Sequence, residues 1–228
     1  MRIFLLPLWA FCLASPVFAA PPQRQPVVVE LFQSQGCSSC PPADAVLNAL
    51  AARPDVIALN FAVTYWDQLG WKDTFAKPAF TARQWDYARR GGRSTVSTPQ
   101  MIVGGRTAIV GSRAPEVAAV IARAQAEPSG PVLRIDGASV AIPAGKPATA
   151  ATVWLVRYDP RTIEVPIRAG ENGGRTLPHR NIVRTLTALG TWTGTAVRFA
   201  LPPAVAGTNA AVLLQAGRGG PIIAARRV

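Results

Sequence analysis

The alternation of apolar and polar positions divides the chain into a first half that mixes helical and strand periods and a second half that is mostly strand. Val27-Val28-Val29-Glu30-Leu31-Phe32 is a compact apolar run of the kind a buried parallel strand shows. Ala43 to Ala52 sets Val46, Leu47 and Leu50 on one helical stripe, closed by Pro54-Asp55. A strand pattern follows at Val56 to Val63. Thr64 to Arg93 is polar, aromatic and helix-compatible, and reads as a helical insertion or cap. Gln100–Val103 and Thr107–Val110 flank Gly104-Gly105, a dipeptide suited to a two-residue hairpin turn, and Pro115 to Ala126 predicts a further helix. Glu127-Pro128-Ser129-Gly130-Pro131 is a linker by composition. Beyond it, short apolar runs lie at 132–135, 139–142, 152–158, 163–167, 196–200, 211–215 and 221–225, the spacing of a β-sandwich. Asn181 to Leu189 fits a strand or a short helix.

Composition changes this picture little. A chain of 228 residues suits two modest domains, and 49% hydrophobic with 16% charged residues is enough to build cores and excludes wholesale disorder. The net charge of +12 raises the question of nucleic acid. The arginines are scattered, however, and no helix-turn-helix, zinc-finger or aromatic RNA-binding signature accompanies them, so a basic solvated surface is expected and no nucleic-acid partner. Such a surface favours acidic partners or anionic headgroups, an effect that salt weakens.

The N-terminus changes it more. Arg2, an apolar stretch to Leu13 and the small residues of Val17-Phe18-Ala19-Ala20 read as a cleaved export signal over 1–20. Pro7 and Pro16 interrupt the stretch, which is too short to span a bilayer, so no stable membrane anchor is expected after cleavage. Cys12 lacks the residues of a lipoprotein cleavage site. Of three cysteines, Cys37 and Cys40 then remain, in a periplasmic or secreted setting where disulfides persist.

The pair lies in Gln35-Gly36-Cys37-Ser38-Ser39-Cys40-Pro41-Pro42, between a strand and a helix. A helix N-terminus favours thiolate over thiol, which makes Cys37 the exposed nucleophile and Cys40 the resolving thiol of an exchange reaction. The competing reading is an inert disulfide stapling a turn, a weak reason for the pair because so short a loop constrains the unfolded chain little. Pro41 and Pro42 allow the helix to begin at Pro41, which would leave Cys37 less activated. Glu30 interrupts the apolar strand. It is either a buried carboxylate beneath the cysteines that takes the Cys40 proton, or the partner of an arginine or a residue at the strand's wet end.

Val29-Glu30-Leu31-Phe32, Ser34-Gln35-Gly36-Cys37-Ser38-Ser39-Cys40-Pro41-Pro42-Ala43-Asp44, Tyr65-Trp66-Asp67, Leu69-Gly70-Trp71-Lys72-Asp73, Thr98-Pro99-Gln100-Met101, the segment Gly170 to Leu177 and Asn181-Ile182-Val183-Arg184 together resemble a secreted bacterial family, domain-of-unknown-function family 1223. The order strand, helix, strand, helical insertion, hairpin, helix is that of an α/β thioredoxin-like N-terminal domain, 21–128, a fold that the resemblance also implies. An all-β sandwich-like C-terminal domain is expected to follow at 129–228. The likeness to thioredoxin-like proteins further implies a cis Thr98–Pro99 bond beside the cysteines, with Thr98 and Pro99 facing substrate. In thioredoxin a buried acidic residue stands one position nearer the first cysteine than Glu30 does. Ala62 and Thr64 stand where members tend to have His and Asp, so no role can rest on those two positions here.

Trp66, Asp67 and Trp71 are either one wall of a partner groove or ordinary packing. Asp44 faces the first turns of the cysteine helix or complements its dipole. His179 is expected to be a solvated loop residue, and Gly170 to Gly174 a turn in preference to an anion-binding nest. The leading function is a thiol–disulfide oxidoreductase acting on protein thiols and disulfides of the cell envelope, with no cofactor. Cu(I) handling is weaker, since the mature chain offers only His179 and Met101 as further ligands and no metal set is expected. The remaining alternative is a non-catalytic interaction module that keeps its disulfide.

Overall fold

The computed structural model describes residues 25–228; the export signal expected over 1–20 and Cys12 lie outside them. β1 (Val27–Gln33) is buried along its whole length. β2 (Val56–Ala62) runs parallel to it from Val27↔Val56 to Gln33↔Ala62. β3 (Gln100–Val103) pairs antiparallel on the other side, with Phe32 opposite Gln100, and β4 (Thr107–Ile109) completes the hairpin. Gly104 and Gly105 turn it at φ +61° and +66°, where side chains are disfavoured. The helices are α1 (Pro41–Leu50), α2 (Pro78–Arg90) and α3 (Ala114–Ala126). Each carries proline in its first turn, where the missing N–H has no intrahelical partner to lose.

The remaining strands are β5 (Arg134–Asp136), β6 (Ser139–Ile142), β7 (Ala151–Asp159), β8 (Ile163–Pro166), β9 (Thr176–His179), β10 (Ile182–Trp192), β11 (Val197–Ala200), β12 (Asn209–Ala216) and β13 (Ile222–Arg227). They correct the expected architecture. An α/β thioredoxin-like domain followed by a separate β-sandwich does not form. The described chain is mostly β, with one mixed eight-stranded sheet in the order β13-β12-β7-β10-β2-β1-β3-β4. The join is narrow. β10 meets β2 at Ile182↔Asn60, where Asn60 N–H donates to Asn181 O (3.0 Å) and the Asn181 amide donates to Ala58 O (2.8 Å).

Strand alternation then sorts the core. Val28, Phe32, Leu59, Phe61, Val156 and Tyr158 face α2. The opposite face of β1 to β3 packs on α1 and α3 through Val29, Leu31, Leu47 and Ile121. That of β7 and β12 packs on the three-stranded β11-β6-β5 sheet around Val153, Leu155, Val212 and Trp192. The β8-β9 hairpin lies beside α1, and the expected helical insertion is an irregular segment, 63–77, leading into α2. Among the described residues no helix is long and apolar enough to cross a membrane.

Candidate functional site

Cys37 and Cys40 form a disulfide at the start of α1, Cα atoms 5.4 Å apart, with Cys40 as N-cap and Pro41 as first helical residue. Both cysteines are buried, at 0% and 1% exposure, so the expectation that Cys37 stands exposed at the helix tip is corrected. The β8–β9 turn is tied to the loop by side-chain hydrogen bonds. The buried Asn172 amide donates to Gln35 O and Cys37 O, 2.9 Å each, and its Oδ1 accepts from Arg175 (2.7 Å). Beside it, Glu171 accepts from Ser38 N–H (3.0 Å) and Ser38 O–H (2.7 Å). These bonds hold the Glu171 carboxyl below its ordinary pKa, the hydroxyl bond contributing most. Only Ser38 and Ser39 of the loop reach solvent.

Trp66, Asp67 and Trp71 frame the loop's other flank. Trp71 N–H donates to Gln35 Oε1 (3.0 Å), and Trp66 N–H donates to Thr98 Oγ1 (2.6 Å) while sitting so close to Gly36 that a side chain there would touch it. Asp67 shapes the segment by accepting from Asp73 N–H at 3.1 Å. The Thr98–Pro99 peptide is cis, and continuing the β1–β3 register brings Pro99 level with Gln33, where β1 enters the cysteine loop. Trp66, Thr98 and Pro99 thus share the end of the sheet that carries the cysteines.

Glu30 does not. It is fully buried, but alternation along β1 points it with Val28 and Phe32 toward α2, away from α1. There it accepts from Arg83 Nε (2.7 Å) and Nη2 (3.2 Å) and from the Tyr87 hydroxyl. Arg83 also donates to Gln215 Oε1 (3.1 Å), which accepts from Trp154 N–H (3.0 Å). Burial opposes the Arg83 charge, yet the Glu30 carboxylate holds its pKa above the ordinary value, and burial raises Tyr87 well above its own. A carboxylate spent on this network, across the sheet from the cysteines, is no acceptor for Cys40.

The acid–base groups on the cysteine side are ones to which the sequence pattern assigns no chemistry. Asp44, a turn after Cys40, is buried, and its Oδ1 accepts from the Asn60 amide (2.9 Å), whose Oδ1 accepts in turn from Gln33 (2.9 Å). His179, expected in solvent, is 1% exposed at the end of β9, its Nδ1 3.3 Å from Asp44 Oδ1. Its Nε2 is buried without a partner among the described residues. Burial works against the imidazolium, but the Asp44 bond and charge, with Asp73 and Glu164 beyond, hold the His179 pKa above its ordinary value. Asp73 accepts from Gln35 N–H and Phe75 N–H, 2.8 Å each, and burial raises its pKa despite them. A lone histidine between Pro178 and Arg180 gives no hint of this in the chain; the one available signal is the proline, which fixes the backbone just before it. Among the described residues no group of three or more His, Cys, Asp or Glu side chains converges as a metal-ligand set.

The family model for proteins of unknown function called DUF1223 matches residues 28–215. A crystal structure of an Agrobacterium tumefaciens protein is 32% identical, covering 89% of this chain and 93% of its own at a TM-score of 0.74. HBP35 of Porphyromonas gingivalis, 14% identical with a TM-score of 0.60 over 90% of this chain and 75% of its own, shares the fold alone. No curated protein matches the chain.

Proposed function

Since the chain belongs to the DUF1223 family, whose description leaves the reaction open, we propose from its own residues that it is a thiol–disulfide oxidoreductase acting on protein disulfides through Cys37 and Cys40. The observation that carries this reading is the Cys37–Cys40 bond at the first turn of α1, on the same side of the sheet as the buried Asp44, His179 and Asp73. A bridge between residues only three apart restrains the unfolded chain little, so stability alone is a weak reason for it. The export pattern at 1–20 supports a periplasmic or secreted location, where its partners would be thiols and disulfides of envelope proteins.

In the reducing direction the Cys37 thiolate attacks one sulfur of a substrate disulfide. The Cys37–substrate bond forms as the substrate bond breaks, and the departing thiolate takes up a proton. Cys40 then attacks Cys37, restoring the internal disulfide and releasing the second substrate thiol, so two electrons pass from protein to substrate. The reverse sequence oxidises a substrate dithiol. Either direction requires the cysteine loop to open toward its partner, because both cysteines are buried in the disulfide form.

Equilibrating the native protein in glutathione buffers of stepped ratio, then alkylating and weighing it, tests the reading. Reversible interconversion of disulfide and dithiol is expected. A pair that stays oxidised under excess dithiothreitol until a denaturant unfolds the chain is a staple, and overturns it.

A further inference from the structure

Resting on that reading, we propose that buried Asp44 is the proton acceptor for the Cys40 thiol in the exchange step, with His179 positioning its carboxyl. Cys40 and Asp44 stand four residues apart at the start of α1, joined by the Asp44 N–H to Cys40 O bond of 3.1 Å. Residues so spaced lie on one face of a helix about 6 Å apart at Cβ. Helical side chains lean toward the N-terminus, so the carboxyl leans back toward Cys40. Both bonds to Asp44, from Asn60 and His179, fall on Oδ1, which leaves Oδ2 for a further donor.

The carboxylate, the imidazole and the two amides set this deep in a sheet–helix contact satisfy one another by hydrogen bonds, but Nε2 of His179 is buried without a partner among the described residues, a cost the fold alone does not require. Asp44 Oδ2 takes the Cys40 proton while His179 Nδ1 and the Asn60 amide hold Oδ1, and the freed Cys40 thiolate attacks Cys37 in the mixed disulfide, expelling the substrate thiolate, which takes up a proton. Around the pair lie Asp73 from the 63–77 segment, with Asp67 bonded behind it, and Glu164 of β8, while Asn60 of β2 and the Phe75 ring complete the surroundings.

The test mixes fully reduced protein with oxidised glutathione, quenches in acid at intervals and follows the glutathione adduct by mass spectrometry, which separates adduct formation at Cys37 from its resolution by Cys40. Asp44→Asn and His179→Gln are compared with the unmodified protein over pH 5.5 to 9, roughly the range that brackets a histidine pKa. In the unmodified protein resolution should rise with pH and level off once the pair is deprotonated. In both variants it should fall by about a hundredfold at neutral pH and keep climbing with hydroxide, while adduct formation is unchanged. His179→Gln retains a donor for Asp44, so it carries the test if Asp44→Asn does not fold. Folded variants that resolve the adduct at the unmodified rate and with its pH profile overturn the assignment and leave the oxidoreductase reading standing. An unmodified protein that forms no adduct at all overturns that reading, and this assignment with it.

Discussion

At the scale of single residues, the decisive contrast is between two buried carboxylates on opposite faces of one sheet. Glu30 interrupts the apolar run Val27 to Phe32, which leaves burial and the strand's wet end both open, and the sequence does not say which helix covers its face. Its arginine partner lies 53 positions on and is one of many candidates. Arg83→Met leaves an uncompensated buried charge, and chemical denaturation should show a loss of about 3–5 kcal/mol. Glu30→Gln should also destabilise, yet leave the pH profile of glutathione exchange untouched; a shifted profile would return Glu30 to the reaction. His179 is illegible for a different reason, since its partner Asp44 is 135 positions away and nothing local marks either as paired. Its folded pKa lies above the ordinary 6.5. That contribution to stability is therefore fully present below pH 6.5 and is lost as pH rises through the folded value. Denaturant midpoints should fall across that window and His179→Gln should flatten the fall. The raised Asp73 carboxyl acts in the same direction, beginning lower, from its ordinary value of 3.8 upward.

At the scale of elements, local pattern is legible and its consequences are not. α1, α3 and the β3–β4 hairpin lie within about two residues of where periodicity and proline set them, the accuracy to expect at element ends. β10 is ambiguous in the sequence because its pairing with β7 is shifted between Val183 and Thr185 and again between Ala188 and Gly190, which breaks the period of two. β9 escapes notice because it is four residues long and contains Pro178. The turn bonded to the cysteine loop reads simply as a turn, since no periodicity tells what a turn rests on. Its Asn172 bonds two carbonyls of the cysteine loop, and a net hydrogen bond is worth about 1 kcal/mol. Asn172→Ala should therefore raise the population in which the sulfurs are open by about tenfold or more. The rate of iodoacetamide labelling of the reduced, native protein reads this directly, and equal rates in the two proteins would show that the turn does not limit access.

At the scale of the whole molecule, the apparent boundary at Glu127 to Pro131 is a covalent linker across which the structure is continuous. Gly130 N–H donates to Ile223 O (2.8 Å), and a side chain at Gly130 would collide with that same carbonyl. Gln25 reaches Gly130 O (3.1 Å) and also accepts from Ala225 N–H (3.0 Å). Strand patterns announce strands but never their neighbours, so the eight-stranded sheet could not be read from them, whereas the buried polar ties between the halves state it plainly. Arg83 to Gln215, Asn60 to Asn181, Asp44 to His179 and Asn172 to Cys37 each lose one partner if the chain is cut after 128. Every orphaned buried group costs about 1–3 kcal/mol, and a domain's whole stability is only about 5–15 kcal/mol. A fragment of residues 25–128 should thus show no cooperative thermal transition and expose its β2 edge, while the full chain melts in one step. Asn181→Ala provides the milder version of the same cut, because it removes the bond to Ala58 O at a residue with φ +52°, a conformation asparagine tolerates better than alanine. Calorimetry should find it destabilised by about 1–3 kcal/mol with the transition still single. A fragment that melts cooperatively on its own, or an Asn181→Ala protein that melts in two steps, would show that the halves fold separately and that the shared sheet is only their contact.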